Sequence, residues 1–373
     1  MRFLHTADWH IGKKLHGYDL LADQKDSIQQ IIAIAEAEQV DAIVIAGDLY
    51  DRSVPAVEAV ELLNQSLIEI NLDKKMPLLA ISGNHDSSSR LATGAPWFQQ
   101  TDFHLVTQLK QAFEPVTIGD TQFFLLPYIE PIAARLYFDE EFPSIKEAVQ
   151  RIIAEMQPLF DPTKKHVLIT HFFIAGGLRT ESETPLEVGG LNSVPYELMA
   201  PFDYVALGHL HSKNALKEGP VRYSGSPLKF SLSEINDEKG VWIVDSDTML
   251  PEFRPLTPLR DIKKIQASFA DLLHPDFYQN LDREAFWQLL LTDRAVIPNM
   301  MNQLRAVYPY ILSVERVNGR ESQPMQQFKK REASPQKVFA TFFEEITGDT
   351  LTERQQDWLD KGLQIAMDTE KRD

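Results

Sequence analysis

Short apolar runs alternate with longer amphipathic segments through the first part of the chain. The runs at 2–8, 40–48 and 76–83 are rich in aliphatic residues and bounded by polar residues, glycine or proline, as buried strands are. Between them, segments 23–39 and 55–70 repeat apolar residues every three or four positions, which predicts two helices. This β-α-β-α-β alternation predicts an α/β fold with helices on the faces of a sheet.

Further apolar runs extend this pattern toward the middle of the chain. They predict strands at 121–128, 166–170, 202–208 and 240–246. Prolines at 251, 255 and 258 then indicate a boundary near 255–260. We therefore assign residues 1–258 to one large domain.

A second, small α/β domain is predicted at 259–328. Its strands are expected at 260–270, 285–293 and 310–318, with a helix around 299–308. The basic run at 328–332 is typical of a solvated face, and contact with DNA phosphates is the alternative interpretation.

Two helices are predicted in the last segment, 329–373. One begins at Ser334 and ends at Gly348, and Thr352 with Gln355 has the spacing of a capping box for the other. Their apolar residues are Val338, Phe339, Phe342, Phe343, Ile346, Trp358, Leu359, Leu363 and Ala366. A segment this short cannot bury so much apolar surface alone, which favours docking onto a helical partner. Packing against the small domain is the alternative.

Composition narrows the classes of protein that this chain can be. The 373 residues are 43% hydrophobic, as in a folded protein with sizeable cores, and include no cysteine, so any metal must be held by oxygen and imidazole nitrogen. No apolar segment approaches a membrane span or the core of a signal peptide, so we expect a cytoplasmic protein. The net charge of −17 argues against a nucleic-acid partner, but residues 261–373 hold 15 basic and 18 acidic side chains, so the excess lies mainly before them.

Side chains with metal-binding atoms follow several of the predicted strands, where functional groups gather in open α/β sheets. A lone histidine or a Gly-Asp pair at such a position is usually structural, but here the donors follow the order D-x-H, GD, GNHD, H and GHxH. They are Asp8, His10, Asp48, Asn84, His85, His171, His209 and His211. Such a set suits two divalent cations that share one carboxylate, for which Asp48 is the central candidate. Manganese, iron and zinc all fit these donors.

Longer phrases of the sequence resemble one protein family. They are "LHTADWHIGK", "DAIVIAGDLYDRSVP", "ISGNHDS", "ITHFF", "DYVALGHLH" and "RYSGSPLKFSLSE", spread over about the first 235 residues. The chain thus resembles the calcineurin-like metallophosphoesterases and, within them, the SbcD nuclease subunits of bacterial SbcC–SbcD DNA repair complexes. The resemblance implies a sandwich of β-sheets flanked by helices, with a small α/β capping domain and C-terminal helices.

The same resemblance implies roles for the donor residues. One metal is then held by Asp8, His10, Asp48 and His211, and the other by Asp48, Asn84, His171 and His209. His85 is implied to be the catalytic histidine and not a ligand. The family uses manganese, so two Mn²⁺ ions per chain are expected.

The resemblance also implies a substrate and partners. Members of the family act on double-stranded DNA ends as 3′–5′ exonucleases, with ATP dependence through SbcC, and cut DNA hairpins as endonucleases. They form a heterotetramer with two copies of the ATPase SbcC and dimerise through helices of the nuclease domain, which suggests a cytoplasmic, nucleoid-associated enzyme. The last helices look like the segment that docks on the base of the SbcC coiled coil. A phosphodiesterase or phosphatase acting on a small molecule or nucleotide is the alternative, and a non-catalytic scaffold fits the donor set least.

One position departs from the archaeal and eukaryotic relatives, which commonly place a histidine three residues after the bridging aspartate. Here that residue is Asp51, and "GDLYDR" resembles related protein phosphatases. By that resemblance Asp51 orients His85 and Arg52 meets a phosphate oxygen. A surface ion pair between Asp51 and Arg52 is an equally weighted alternative.

Overall fold

The computed structural model describes residues 1–178, 180–183, 193–216, 219–317, 335–347 and 350–370, with the side chains of 345–347 and 364–370 left out. Its strands are β1 Arg2–Thr6, β2 Lys14–Leu15, β3 Tyr18–Asp19, β4 Ala42–Ala46, β5 Leu78–Ile81, β6 Phe103–Val106, β7 Val116–Ile118, β8 Thr121–Leu126, β9 Lys165–Thr170, β10 Tyr204–Leu207, β11 Val221–Tyr223, β12 Gly240–Asp245, β13 Pro251–Pro255, β14 Ile262–Ala267, β15 Phe286–Leu291 and β16 Ile311–Arg316. Its α-helices are α1 Leu21–Ala37, α2 Val57–Ile68, α3 Ser88–Leu91, α4 Ala95–Phe98, α5 Pro131–Phe138, α6 Ile145–Met156, α7 Phe269–Leu272, α8 Pro275–Tyr278, α9 Met300–Val307, α10 Pro335–Thr347 and α11 Glu353–Glu370.

Two β-sheets packed face to face form the centre of the fold. One has the order β13-β12-β1-β4-β5-β6 and the other β11-β10-β9-β8-β7. Apolar side chains of both sheets, among them Phe3, Val44, Phe123 and Val167, form a fully buried layer between them. Helices α1 and α2 pack on the outer face of the first sheet and α6 on that of the second. This sandwich confirms the predicted fold class.

The direction of the strands determines where the functional residues lie. In the first sheet β1, β4, β5 and β6 are parallel, and in the second β8, β9, β10 and β11 are parallel. The carboxyl ends of parallel strands lie at one edge, so the loops after β1, β4 and β5 meet one another there. The loops after β9 and β10 meet them from the second sheet.

A small third sheet packs beside the sandwich. Its strands β14, β15 and β16 are all parallel, and α9 connects the last two, as the sequence predicts. Arg260, just before β14, donates to Asp23 of α1 at 3.0 Å and lies 4.7 Å from the centroid of the Phe286 ring. This ion pair with a buried carboxylate, together with the packing of Phe286 on Leu20, ties the small sheet to the sandwich.

Several elements were missed by the sequence interpretation. Strands β6 and β11 are short and carry no strong motif, whereas helix α6 does carry signals that the prediction did not use, namely Ser144 and Glu147 at the spacing of a capping box and a regular apolar face. Pro251 and Pro255, which were interpreted as punctuation, are the end residues of β13. This strand lies at the edge of its sheet, where proline is tolerated because its missing N–H leaves no ladder bond unmade.

The chain divides into two compact units, one of residues 1–293 and 297–317, and one of 294–296 with the described residues after 317. The second unit contains α10 and α11. Thr352 and Gln355 form the predicted capping box, because the Gln355 side chain accepts from Thr352 N at 2.9 Å and Thr352 Oγ1 accepts from Gln355 N at 3.4 Å. Gly348, the basic run 328–332 and the side chains of Ile346 and Ala366 lie outside the described residues. In the part of the chain that the structure describes, no helix is both long and apolar enough to cross a membrane.

Candidate metal centre

The turns after the strands are unusual in their backbone conformation. Asp8, His10, Asp48 and His209 all have positive φ angles, of 53°, 44°, 51° and 97°. Such angles cost a non-glycine residue about 1–3 kcal/mol each and concentrate at functional sites. The strands before these turns are almost entirely buried, so their packing holds the strained turns in place.

Three of the predicted ligands form a first donor cluster, made of Asp8, His10 and His211. Their potential ligand atoms all lie within 4.8 Å of one another, and each side chain is buried. The Nε2 atoms of His10 and His211 are 3.1 Å apart. The Asp8 carboxylate also accepts the main-chain N–H of His209 at 2.9 Å, which fixes the β10 turn against the β1 turn.

Three other predicted ligands form a second donor cluster, made of Asn84, His171 and His209. The Asn84 Oδ1 atom lies 3.0 Å from His171 Nε2 and 3.0 Å from His209 Nδ1. His171 Nδ1 lies 2.8 Å from the main-chain carbonyl oxygen of Ala46, so it carries the hydrogen of that bond and leaves Nε2 directed at the cluster.

Asp48 lies between the two donor clusters. A single oxygen atom, Oδ2, is 3.5 Å from His10 Nε2 in the first cluster and 3.3 Å from His171 Nε2 in the second. The other oxygen, Oδ1, accepts the main-chain N–H of His85 at 2.9 Å. The carboxylate is therefore oriented by the GNHD turn and faces both clusters.

Burial and mutual contact set the charges of these groups. Burial alone raises the pKa of the Asp48 carboxyl, but the neighbouring imidazoles, His171 foremost, outweigh it and hold that pKa well below its usual range. Burial alone lowers the pKa of His171, but Asp48 outweighs it and raises that pKa to about 9. Burial lowers the pKa of His10 to about 3 and that of His211 well below its usual range. Asp48 and His171 therefore stabilise each other as a buried ion pair, whereas burial favours the neutral forms of His10 and His211.

The donor set fits divalent metal ions. The ligand atoms are carboxylate and amide oxygens and imidazole nitrogens, which suit manganese, iron or zinc. His10 Nδ1 is buried without a hydrogen-bond partner, 3.7 Å from Asp51 Oδ1. A hydrogen on Nδ1 would leave the lone pair of His10 Nε2 to bind a cation. A divalent ion held by these residues would polarise a phosphoryl group and lower the pKa of a bound water.

His85 lies beside the first donor cluster. Its ring centroid is 4.7 Å from that of His10, in an edge-to-face arrangement. Its Nδ1 lies 2.9 Å from the main-chain carbonyl oxygen of Asp51, so Nδ1 carries a hydrogen and Nε2 points away from the loop. A potential ligand atom of His85 also lies within 4.8 Å of those of His10 and Asp51.

Asp51 and Arg52 differ in part from the interpretation of the sequence. Asp51 contacts His85 through its main-chain carbonyl oxygen, which accepts from His85 Nδ1, and not through its carboxylate. The Asp51 carboxylate instead accepts from Lys13 Nζ at 2.7 Å. Arg52 Nε is 3.7 Å from Asp51 Oδ2 and its side chain is 79% exposed, so the guanidinium stands at the rim of the centre with a weak ion pair.

Asp86 has a structural role that the sequence interpretation left unassigned. Its carboxylate accepts the main-chain N–H groups of Gly83, Leu49 and Tyr50, at 2.9, 3.1 and 2.9 Å. Burial raises its pKa to about 6, which these hydrogen bonds only partly offset. The residue ties the GNHD turn to the GD turn, and its place as the last letter of GNHD is the signal that could have identified it.

Comparison with models of known protein families identifies the class of protein to which this chain belongs. A family model described as calcineurin-like phosphoesterase matches residues 1–213, and one described as type 5 capsule protein repressor C-terminal domain matches 257–347. The sandwich and its donor clusters therefore define a metallophosphoesterase, a phosphodiesterase-type hydrolase.

Proteins that are similar over nearly the full length of the chain place it more narrowly within this class. A protein of Staphylococcus epidermidis, named as the SbcD subunit of the nuclease SbcCD, is 35% identical over 99% of this chain and 100% of its own length. A protein of Staphylococcus saprophyticus with the same name is 33% identical over 97% of both chains. Among solved structures, TT1561 of Thermus thermophilus covers 68% of this chain and 98% of its own, with 12% identity and a TM-score of 0.43. The chain belongs to the calcineurin-like phosphoesterase family and, within it, to the SbcD nuclease subunits.

Proposed function

We propose that this protein is a metal-dependent DNA nuclease that hydrolyses phosphodiester bonds at double-strand ends and at hairpins. The observation that carries the proposal is the position of Asp48 Oδ2, within 3.5 Å of an imidazole nitrogen in each donor cluster. One carboxylate between two sets of ligands is the arrangement that two-metal phosphoryl-transfer sites use. The names of the relatives, which span nearly the full chain, support DNA as the substrate.

The ligand assignment follows the two clusters. One metal is proposed to bind the first donor cluster with Asp48, and the other the second donor cluster with Asp48, both being Mn²⁺ in the active enzyme. His85 then acts on the scissile phosphate or the leaving oxygen from outside the metals. Arg52, exposed at the rim, is proposed to meet a phosphate oxygen of the substrate.

A partner ATPase is proposed from the C-terminal helices and from the names of the relatives. Val338, Phe339, Phe342 and Trp358 are between 46% and 59% exposed, which is unusual for large apolar side chains of two neighbouring helices. They suit docking into a hydrophobic groove, here on the coiled-coil base of SbcC, in an assembly with two copies of each subunit. The division into segments 1–258, 259–328 and 329–373 belongs to this proposal, with ATP-dependent 3′–5′ exonuclease activity arising in the complex.

A homodimer through the nuclease domain is proposed from a second apolar surface. A groove of about 460 Å³ is lined by Leu63 and Leu67 of α2 and by Phe98 of α4. Val54 and Val57, just before and at the start of α2, are 64% and 69% exposed. Light scattering of the purified chain tests this proposal, since a monomer at micromolar concentration contradicts it.

The test of the proposed function compares substrates and metals. We expect cleavage of linear double-stranded DNA and of a DNA hairpin with Mn²⁺, and none after chelation by EDTA. Bis(p-nitrophenyl) phosphate serves as the small-molecule comparison. Efficient hydrolysis of that compound with no cleavage of either DNA would favour the alternative, a phosphodiesterase that acts on small molecules.

A further inference from the structure

His211 is held by three side chains other than the proposed metal ligands. Glu183 Oε1 accepts the main-chain N–H of His211 at 2.6 Å, and Lys239 Nζ donates to its main-chain carbonyl oxygen at 2.7 Å. Ser182 Oγ lies 2.6 Å from the remote ring nitrogen, Nδ1. Both the backbone and the ring of His211 are therefore fixed from the side facing away from the donor cluster.

A buried carboxylate lies behind Ser182. Glu234 has no exposed surface, and its Oε2 forms an ion pair with Lys239 Nζ at 2.6 Å. Its Oε1 lies 2.6 Å from Ser182 Oγ. A carboxylate in an ion pair accepts hydrogen bonds and donates none. The single hydrogen of the Ser182 hydroxyl therefore points to Glu234, the shorter and charged contact, while Thr180 Oγ1 at 2.9 Å has a hydrogen of its own to donate to the Ser182 oxygen.

The tautomer of His211 follows from this count of hydrogens. Because the Ser182 hydrogen is used by Glu234, the oxygen presents only lone pairs to His211 Nδ1. A hydrogen bond at 2.6 Å then requires that Nδ1 carry the hydrogen. His211 Nε2 is left with its lone pair, and it is this atom that lies 3.1 Å from His10 Nε2.

We propose that Ser182, Glu234 and Lys239 are positioning residues of the metal centre, which hold His211 as the tautomer whose Nε2 binds a divalent cation. This inference rests on the proposed assignment of His211 as a ligand. Lys239 fixes the carboxylate, the carboxylate fixes the serine hydrogen, and the serine fixes the ring. Partners of this kind typically change metal affinity by about 10–100-fold.

The other imidazole of the first donor cluster also has a carboxylate behind it, although at a distance too long for a hydrogen bond. Lys13 Nζ lies 2.7 Å from Asp51 Oδ1, and the same oxygen is 3.7 Å from His10 Nδ1. A carboxylate held by a lysine thus stands behind each of the two imidazoles. For His211, the Ser182 hydroxyl lies between the imidazole and the Glu234 carboxylate. The Ser182 hydroxyl can therefore be removed while the Glu234–Lys239 ion pair stays in place.

The test measures Mn²⁺ binding to the full chain by isothermal titration calorimetry. Ser182→Ala is expected to weaken binding at the affected site by about 10–100-fold. Ser231→Ala is the matched control, because Ser231 Oγ donates to the same Glu234 oxygen at 3.0 Å while His211 is bonded by Ser182. The control is expected to bind Mn²⁺ within about twofold of the parent, since the chain from Glu234 to His211 stays intact.

A second pair of variants distinguishes the loss of the hydroxyl group from a change in side-chain volume. Ser182→Thr keeps a hydroxyl, and Ser182→Val has the shape of threonine without it. Rescue of Mn²⁺ affinity by threonine but not by valine supports the proposal, and the visible spectrum of the Co²⁺-loaded protein should change with valine alone. Equal affinity of parent, Ser182→Ala and Ser182→Val overturns it, as does equal weakening by Ser182→Ala and Ser231→Ala. A parent chain that binds no Mn²⁺ contradicts the proposed metal centre itself, which is a different outcome.

Discussion

Among single residues, Asp48 is the one that faces both donor clusters. We predict that Asp48→Ala loses both metals while the chain stays folded, because the substitution removes the shared ligand but leaves the apolar strands of the sandwich unchanged. Metal analysis by mass spectrometry, with circular dichroism as the check on folding, measures both quantities. A folded variant that retains two tightly bound ions per chain would show that Asp48 does not bridge.

The His85→Ala variant distinguishes a role in the chemical step from a role in metal binding. If it acts on the substrate and not on a metal, His85→Ala should lower turnover by roughly two to four powers of ten with metal content unchanged. His274→Ala is a suitable control, since that imidazole is 61% exposed and lies in the small α/β region. Loss of a metal from His85→Ala would instead make His85 a ligand.

The residue types and order of the donor set could be predicted because each motif stands directly after a strand. The residues that support His211 from behind, Ser182 and Glu234, could not be predicted in this way. Ser182 contacts His211 across 29 positions of sequence and Glu234 across 52, and no spacing rule connects the three. Glu234 does lie within the phrase "RYSGSPLKFSLSE" that carried the resemblance, so the phrase was informative before its role was known.

At the scale of elements, the turns that carry the donors depend on close backbone approach. A Cβ atom at Gly83 would lie 2.1 Å from Asp48 Oδ1, a distance that no relaxation of the buried turn can easily accommodate. Gly83→Ala is therefore predicted to lower the affinity for metal by at least about 10–100-fold, which is the usual effect of removing a residue that hydrogen-bonds to a metal ligand. Gly362→Ala is the control, because a Cβ there meets no atom within 4 Å and the residue lies in α11. Equal Mn²⁺ affinity of both variants and the parent would contradict this view of the turn.

The strands and helices that were predicted correctly have an apolar period and sharp boundaries, although α6, which has an apolar face and a Ser144 cap, was missed. Buried strands β1, β4, β5, β8, β9 and β10 have both properties, and so do α1 and α2. Strand β13 was missed because Pro251 and Pro255 indicate a break in sequence, whereas an edge strand accepts them. Strand β12 pairs with β1, although most of the large domain lies between them in the sequence. Local periodicity cannot predict such a long-range pairing.

At the scale of the whole molecule, the C-terminal helices give the proposed link to a partner. Phe342→Asp combined with Phe343→Asp should abolish co-elution with SbcC and any ATP stimulation, because two charges placed on the apolar face oppose docking. Basal Mn²⁺-dependent cleavage should remain. Lys337→Asp on the same helix makes an equal change in net charge away from this face and should leave binding intact. Continued co-elution of the double variant at normal affinity would refute the docking role, and unfolding with loss of basal activity would favour packing within the chain.

The α/β class follows from the alternation of elements, but the packing of two sheets into a sandwich whose loops meet at one edge does not. The sequence places Asp48 and His171 more than a hundred positions apart, and only the packing of β4 on β9 brings them to 3.3 Å. Local physics does not group the donors by metal, and the proposed grouping came from the resemblance to a family. The geometry supplies the independent argument, through one carboxylate oxygen that faces both clusters.

Anomalous diffraction at the manganese edge, from crystals grown with Mn²⁺, would locate the bound ions and show whether Asp48 lies between them. We predict two peaks about 3.5–4 Å apart, one in the first donor cluster and one in the second, with the Asp48 carboxylate bonded to both. A single peak, or a manganese bound by His10, Asp51 and His85 in place of the shared site, would contradict the account.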